Sequence, residues 1–261
     1  MPTSPKTGQR SLTIVLPAYN EARRIGPALD ELFAYLDAPT PEGFHPRIDV
    51  LLVDDGSTDN TAEIVRARPE ASRSADGDLA PLAVLAVPHA GKGSAVKAGM
   101  LAATGDLVVF TDADMATPPS ELPKLVTALD SADVALGSRI QPDGSDMRAS
   151  QPAYRRALGG LFHLLASIWV VGDVKDTQCG FKGFTREAAQ DLFPRQQVTS
   201  IVFDVELIHL ARRRGYKLGI VPIRWEDVRG SRMRPGPMLA LKVAWDLFRI
   251  PLLHRGVRRH R

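Results

Sequence analysis

The sequence predicts an α/β protein built on a mostly parallel sheet with helices on both faces. Short apolar runs rich in β-branched residues alternate with segments of helical spacing, which is typical of βαβ units. Polar clusters directly follow four of the predicted strands. Because the carboxyl ends of parallel strands meet at one edge of a sheet, we expect these clusters to lie close together.

The first half of the chain supplies the alternating strands and helices. A buried strand over 12–16 is expected to stop at Pro17, and apolar residues at helical spacing predict a helix over 21–36. The next strand covers 50–53. The remaining elements of this half are a helix from Thr58, strands over 82–87, 107–110 and 134–136, and helices from Gly93 and Pro118.

The second half contains two apolar helical stretches. Residues 157–171 are too few for a membrane span, which needs about 20 apolar residues, and they include Gly159, Gly160 and His163. We expect a core or lid helix here, with an interfacial helix as the alternative. A tail helix, expected to end at Pro251, carries a stripe of apolar residues at Met238, Leu241, Trp245, Phe248 and Leu252.

Charge is distributed unevenly along these 261 residues, whose net charge is +3. The stretch 229–261 contains nine Lys and Arg residues and one acid, Asp246, so the remainder is acidic. A basic amphipathic tail favours an anionic membrane surface as partner, although core packing explains the stripe equally well. Motifs of nucleic-acid readers are missing from the sequence, so no nucleic-acid partner is expected.

The single cysteine, Cys179, excludes an internal disulfide and fits a reducing compartment. Residues 1–10 lack the apolar core of a secretory signal. We therefore expect a cytoplasmic protein, attached peripherally to the cytoplasmic face of the membrane.

The polar clusters indicate phosphate and metal chemistry. They are Pro17-Ala18-Tyr19-Asn20-Glu21, Asp54-Asp55-Gly56-Ser57-Thr58-Asp59, His89-Ala90-Gly91-Lys92-Gly93 and Asp112-Ala113-Asp114. Paired carboxylates at a strand end suit Mg²⁺ or Mn²⁺, which complete their coordination with waters and substrate phosphates. The glycine spacing around Lys92 matches neither a P-loop nor a dinucleotide-binding fingerprint, and the histidine spacing does not indicate a zinc hydrolase.

Taken with Gly137-Ser138-Arg139, these clusters resemble the motifs of the inverting, metal-dependent family 2 glycosyltransferases of GT-A fold. Three further segments make the chain look most like the dolichyl- or polyprenyl-phosphate glucosyltransferases of that family. They are Asp176-Thr177-Gln178-Cys179-Gly180-Phe181-Lys182, Phe203-Asp204-Val205-Glu206 and Trp225-Glu226-Asp227-Val228-Arg229-Gly230-Ser231-Arg232. The resemblance covers about 12–232. It implies a domain over 11–232, with a nucleotide-sugar half (11–140) and an acceptor half (141–232), followed by the basic tail 233–261.

The resemblance also implies roles for individual residues. Asp112 and Asp114 would bind the metal ion, and Asp114, Asp176 and Arg139 would be catalytic. The donor nucleotide sugar, UDP-glucose or GDP-mannose, would contact Pro17, Ala18, Tyr19, Glu21, Asp54, Asp55, Lys92, Asp112, Ala113, Arg229 and Arg232. The acceptor polyprenyl phosphate would contact Arg139, Arg155, Arg156, Gln178 and Asp204.

Acceptor chemistry decides whether a base is needed. A phosphate monoester already carries a nucleophilic oxyanion at neutral pH, so it requires arginines that position it rather than a strong base. A sugar hydroxyl would require a general base, for which Asp176 or Asp204 could serve. We expect glucose transfer from UDP-glucose to a polyprenyl phosphate. GDP-mannose as donor, a hydroxyl acceptor and a sugar-nucleotide-binding protein without turnover are the alternatives, in that order, and the sequence does not predict an oligomeric state.

Overall fold

The computed structural model describes residues 10–39, 46–147, 170, 172, 174–226 and 237–259. Its strands are β1 (Ser11–Ala18), β2 (Arg47–Asp54), β3 (Leu82–Ala86), β4 (Leu107–Thr111), β5 (Val134–Ser138), β6 (Phe181–Thr185) and β7 (Leu218–Pro222). They form one sheet in the order β3-β2-β1-β4-β6-β5-β7. Among the strands of the described residues, only β6 runs antiparallel to its neighbours, so the expected mostly parallel α/β sheet is confirmed.

Helices cover both faces of this sheet. They are α1 (Ile25–Leu36), α2 (Thr61–Arg66), α3 (Lys92–Ala102), α4 (Leu122–Ala128), α5 (Arg186–Leu192), α6 (Phe203–Arg214) and α7 (Pro237–Leu253). Short 3-10 turns lie at Pro69–Ser72, Pro119–Glu121 and Phe193–Arg195. Buried residues of α1, α2 and α4 form one hydrophobic cluster, and those of α3, α5, α6 and α7 form the other. Alternate residues of β1 explain the division, because Ile14 belongs to the first cluster and Val15 to the second.

Two predicted boundaries of the first βα unit are shifted in the structure. Strand β1 continues through Pro17 to Ala18, and both pair with β2. Pairing with β4 ends at Val15, so the proline lies beyond the part of the strand that is flanked on both sides. Helix α1 begins at Ile25 rather than at Glu21, because 21–24 form a turn in which Arg24 N donates to Glu21 O.

Strand β6 was not predicted, and it decides how the second half of the chain meets the first. It lies between β4 and β5, antiparallel to both, with Phe181 opposite Thr111. This pairing places the start of β6 beside the end of β4, where the Asp112-Ala113-Asp114 motif begins. The segment that leads into β6, including Asp176 and Gln178, therefore reaches the edge of the sheet that carries the polar clusters.

Helix α7 is amphipathic, as predicted, but it continues two residues past Pro251. A proline in the last turn removes only one helical hydrogen bond, so the helix can pass it. Its buried side chains include Leu247 and Ile250, which pack in the same cluster as α6. Within the described residues, no helix has the length and hydropathy of a membrane span. Most of the predicted helix over 157–171 lies outside the described residues.

Candidate active site

The loops that follow β1 and β2 are bound to each other through Asn20. Its backbone N–H donates to Ser57 Oγ at 2.8 Å, and its side-chain Oδ1 accepts from Thr58 N at 2.7 Å. Asn20 has a φ of 54°, in the left-handed region that asparagine tolerates better than most residues. The two loops therefore form one rigid rim above the sheet.

Asp55 binds this rim to the loop that follows β3. Its carboxylate is almost fully buried and accepts from Ala90 N and Gly91 N, both at 3.0 Å. His89 Nδ1 lies 2.9 Å from Asp55 Oδ2. The neighbouring Asp54 accepts from Ser57 N at 3.1 Å. Three of the predicted clusters thus meet at one edge of the sheet, as expected from parallel strands.

An aromatic pair stands beside these carboxylates. The rings of Tyr19 and His89 are stacked, with centroids 4.0 Å apart and planes inclined by 18°. Both side chains are partly exposed. A planar surface next to hydrogen-bond acceptors is suited to a nucleotide base.

Lys92 connects the donor-side loops to the acidic motif after β4. It is the first residue of α3, and its Nζ lies 2.5 Å from Asp112 Oδ1. Burial disfavours the charged amine, but the nearby carboxylates of Asp112 and Asp204 outweigh burial and raise the pKa of Lys92. The lysine is therefore a fixed positive charge beside the acidic pair.

The acidic pair has the properties of a divalent-cation site. Burial first, and then the negative charge of Asp112, raise the pKa of the Asp114 carboxyl. A Cβ built on Gly180 would lie 2.2 Å from Asp112 Oδ2, so any larger residue at this position would clash with the Asp112 carboxylate. The described residues contain no group of three or more His, Cys, Asp and Glu side chains placed to hold a metal. Two hard oxygen donors fit Mg²⁺ or Mn²⁺ that takes its other ligands from water and substrate phosphates.

A buried ion pair lies on the acceptor side. Arg139 donates to Asp176 three times, from its backbone N at 2.8 Å, from Nε at 2.9 Å and from Nη2 at 2.7 Å. The hydrogen bonds and charge of Asp176 raise the pKa of Arg139 even though burial opposes them. The guanidinium also lies over the Trp225 ring, 5.5 Å from its centroid. This geometry makes Arg139 a permanent, oriented cation.

A second buried pair joins β6 to α6. The fully buried Lys182 Nζ donates to Asp204 Oδ1 at 2.6 Å and to Cys179 O. Burial raises the pKa of Asp204, although Lys182 and Lys92 oppose that effect. Burial also raises the pKa of the Cys179 thiol to about 12, so this cysteine stays protonated at neutral pH.

Comparison with known proteins agrees with this geometry. The family model described as glycosyl transferase family 2 matches residues 13–193, which is more than half of the chain.

The chain belongs to glycosyl transferase family 2.

Named relatives of this family 2 glycosyltransferase match over nearly its whole length. A dolichyl-phosphate beta-glucosyltransferase of Trichomonas vaginalis is 39% identical, with 94% of this chain and 72% of the relative covered. The Homo sapiens protein of the same name is 31% identical, with 87% of this chain and 70% of the relative covered.

Solved structures support the GT-A fold. Glucosyl-3-phosphoglycerate synthase from Mycobacterium tuberculosis, in complex with Mn²⁺, UDP-glucose and phosphoglyceric acid, superposes with a TM-score of 0.61. It is 22% identical, and the match covers 95% of this chain and 80% of the other. At that identity the likeness establishes the fold alone.

The structure brings most of the predicted site residues of this glycosyltransferase to the same edge of the sheet. Pro17 and Ala18 end β1, Glu21 pairs with Arg24 at 2.7 Å, and Ala113 is buried between the two acidic residues. Gln178 donates from Nε2 to Ile201 O at 3.0 Å. Four predicted arginines lie outside the described residues: Arg155, Arg156, Arg229 and Arg232.

Sequence reasoning missed three residues that shape the site. His89 and Lys182 lie inside quoted motifs, but the sequence assigned no role to either of them. Gly180 lies in the same motif as Lys182 and owes its importance to the carboxylate beside it. The motifs contained all three residues, but their contacts join different segments of the chain: Lys182 with Asp204, His89 with Asp55, and Gly180 with Asp112.

Proposed function

We propose that this glycosyltransferase transfers glucose from UDP-glucose to a polyprenyl phosphate of the dolichyl type, with inversion at the anomeric carbon and with Mg²⁺ or Mn²⁺ as cofactor. The relatives named dolichyl-phosphate beta-glucosyltransferase, at 31–39% identity, support the sugar and the acceptor. The Mn²⁺ and UDP-glucose bound by a protein of the same fold support the cofactor and the donor class.

The strongest support for a phosphate acceptor is that both candidate bases are occupied. Asp176 accepts all three of the hydrogen bonds from Arg139, and Asp204 pairs with Lys182. Either carboxylate would have to leave a buried cation unpaired in order to take a proton, which is costly. A phosphate acceptor needs no base, because its oxyanion is already the nucleophile.

Arg139 is the proposed ligand of that acceptor phosphate. A guanidinium carries five N–H donors, and the bonds to Asp176 use only Nε and Nη2 of this one. The N–H groups of Nη1 would bind the phosphate, with the pair to Asp176 fixing their direction. Arg155 and Arg156 are proposed to add charge at the same phosphate.

On the donor side, the proposed roles follow from charge. Asp54, Asp55 and the Tyr19 ring would bind the nucleoside, and Lys92 would bind the diphosphate. A cation held by Asp112 and Asp114 would stabilise the charge that builds on the leaving nucleoside diphosphate. Arg229 and Arg232 are proposed to contact the same diphosphate.

The deciding experiment crosses donors with acceptors. The purified protein is incubated with radiolabelled UDP-glucose, UDP-galactose, UDP-N-acetylglucosamine or GDP-mannose, and with polyprenyl phosphate or phosphoglyceric acid. We expect a butanol-extractable, mild-acid-labile product from UDP-glucose and the lipid. If label enters the lipid only from GDP-mannose, the donor is GDP-mannose rather than UDP-glucose. If label appears only in a water-soluble product, the lipid acceptor is refuted.

We also propose that the protein binds the cytoplasmic face of the membrane peripherally, through the outer face of α7. Four large apolar side chains are exposed there by half or more: Leu241 (67%), Trp245 (61%), Phe248 (50%) and Leu252 (51%). They lie on the side of the helix opposite to the buried Leu247 and Ile250. A contiguous group of exposed apolar side chains of this size is typical of a surface that binds a protein or a membrane.

Anionic lipid is the partner that the surrounding charge supports. The exposed Lys242, Arg255, Arg258 and Arg259 lie on α7 or directly after it. Each basic residue near an anionic surface contributes about 1 kcal/mol to binding, and buried apolar side chains add to this.

Vesicle flotation tests this surface. The double variant Trp245→Ser, Phe248→Ser should lose most of its binding to phosphatidylserine vesicles, about ten-fold or more per side chain. Leu79→Ser is the matched control, because Leu79 is 50% exposed but lies in the loop before β3. Equal vesicle binding of the double variant, or a dimer of the wild type that the double variant abolishes, would contradict the proposal.

A further inference from the structure

The start of α3, which carries Lys92, is held by a distant segment of the chain. Gly93 N donates to Thr199 O at 3.0 Å, and Gln196 Nε2 donates to Gly93 O at 2.8 Å. A Cβ on Gly93 would lie 2.9 Å from Thr199 O, so the close approach depends on glycine. One turn further along α3, Lys97 Nζ donates to Gln196 O at 2.7 Å. The segment 196–200 therefore determines where the first turn of α3 lies.

Glu206 of α6 holds this segment from the other side. Its carboxylate is completely buried and accepts from Gln197 N and Val198 N, both at 2.9 Å. Burying a carboxylate is costly unless it is well bonded, and each of its oxygens receives a backbone N–H. Glu206 thus fixes the segment that fixes α3.

Helix α7 completes the arrangement at two points. His254 Nε2 lies 2.7 Å from Glu206 Oε1, and since a carboxylate only accepts, the imidazole is the donor. Ser200 Oγ donates to Asp246 Oδ2 at 2.6 Å. Asp246 of α7 and His254, which directly follows the helix, are both buried. The inner face of α7 therefore contacts the same segment that supports Lys92.

We propose that Glu206 is a positioning residue for the donor diphosphate: with His254, which directly follows α7, it sets the segment 196–200, and through it the place of Lys92. Identification of the ligand as a nucleoside diphosphate rests on the proposed function. The consequence is that α7, whose outer face we assign to the membrane, is mechanically connected to the donor side of the site.

The test variant is Glu206→Gln in the full chain. A glutamine can accept one of the two backbone N–H groups but presents its own NH₂ to the other, so the segment loosens. We expect the KM for UDP-glucose to rise about ten-fold, the equivalent of one lost charge-assisted hydrogen bond. The KM for polyprenyl phosphate should not change, and amide exchange over 92–96 should become faster.

Asp191→Asn is the matched control. Asp191 also forms a partly buried ion pair with α6, through Arg214 Nη2 at 2.9 Å, and its other ion-pair partner, Arg195, precedes the segment 196–200. It should lower the melting temperature without changing either KM or the amide exchange at the start of α3.

A second pair of variants covers the case in which Glu206→Gln does not fold. His254→Gln retains an N–H donor towards Glu206 and should preserve the donor KM, whereas His254→Ala should raise it. An unchanged donor KM and unchanged exchange over 92–96 in folded Glu206→Gln or His254→Ala would overturn the proposal. If the wild type fails to use UDP-glucose, the proposed function fails, and the exchange comparison still decides whether Glu206 positions α3.

Discussion

At the scale of single residues, the site is a set of charges that compensate one another. Lys92 pairs with Asp112, Arg139 with Asp176, and Lys182 with Asp204. In a partly buried site each unpaired charge would be costly, so pairing fixes the side chains before any ligand binds. Such preorganisation is what an electrostatically assisted transfer requires.

Gly180→Ala tests how narrowly Asp112 is placed. The new Cβ would fall 2.2 Å from Asp112 Oδ2, so the carboxylate or the backbone must move. We expect UDP-glucose turnover to fall about 100-fold, as a misplacement of about 1 Å can cause. Gly26→Ala is the control, because a Cβ there meets nothing within 4 Å. Wild-type turnover in the Gly180 variant would show that Asp112 need not stand where it does.

At the scale of elements, α7 explains why a tail can be both core and surface. Its inner residues Leu247 and Ile250 belong to the hydrophobic cluster of α6, while the described part of its predicted apolar stripe, from Leu241 to Leu252, is exposed. In the sequence, core packing explains the stripe as well as membrane binding does, and the basic residues that follow favour the membrane. In the structure Leu241, Trp245 and Leu252 of that stripe are exposed by half or more, so these three side chains lie outside the described hydrophobic clusters.

Ile250→Ala and Leu241→Ala should separate the two faces of α7. Ile250 is fully buried, so its truncation should lower the free energy of unfolding by about 2–5 kcal/mol. Truncating Leu241, which is 67% exposed, should change the free energy of unfolding by no more than about 0.5 kcal/mol. Urea denaturation of both variants provides the measurement. A large loss from Leu241→Ala would mean that the outer face packs against the protein.

The stability that the ion pair between α5 and α6 contributes should depend on pH. Burial disfavours the Asp191 carboxylate, but the hydrogen bonds and charge of Arg214 outweigh it and lower the pKa of Asp191. A lowered folded-state pKa stabilises the protein above the unfolded pKa, and that stability is lost as pH falls through the folded pKa. The stability difference between wild type and Asp191→Asn should therefore be full at pH 7 and shrink below about pH 4. A difference that is independent of pH from 7 to 3 would contradict the ion pair.

At the scale of the whole molecule, the site exists because β6 enters the sheet between β4 and β5. This pairing brings the segment around Asp176 and Gly180 against the acidic motif that follows β4. Helix α6 then adds Asp204 from one side, and α3 adds Lys92 from the other. Donor binding should consequently stabilise the whole fold rather than one loop.

Thermal unfolding tests that expectation. With UDP and Mn²⁺ at about 100 times the dissociation constant, linkage predicts a gain of about 2.7 kcal/mol and a rise in melting temperature of roughly 5 °C. EDTA should abolish this rise in melting temperature, and the melting temperature of Asp114→Asn should not rise when UDP and Mn²⁺ are added. A rise of the same size in EDTA would exclude a metal from donor binding.

The sequence by itself determined the α/β class, the parallel units of the first half and the family. These are local patterns: apolar period, turn residues and motifs, each readable within about ten positions. It predicted that four clusters would converge, because parallel strands end at one edge. Asp112, Asp114 and Lys92 could therefore be chosen before any coordinates were known.

Only the tertiary structure decided which side chains of the site contact one another. Three pairings depend on contacts between distant segments of the chain. Asp176 pairs with Arg139, and Lys182 pairs with Asp204. Glu206 supports the position of Lys92 through the segment 196–200. The antiparallel entry of β6 and the outward face of α7 are likewise set by which surfaces bury each other. Burial and pairing are properties of the assembled chain, and a local pattern that fits two environments equally well does not distinguish them.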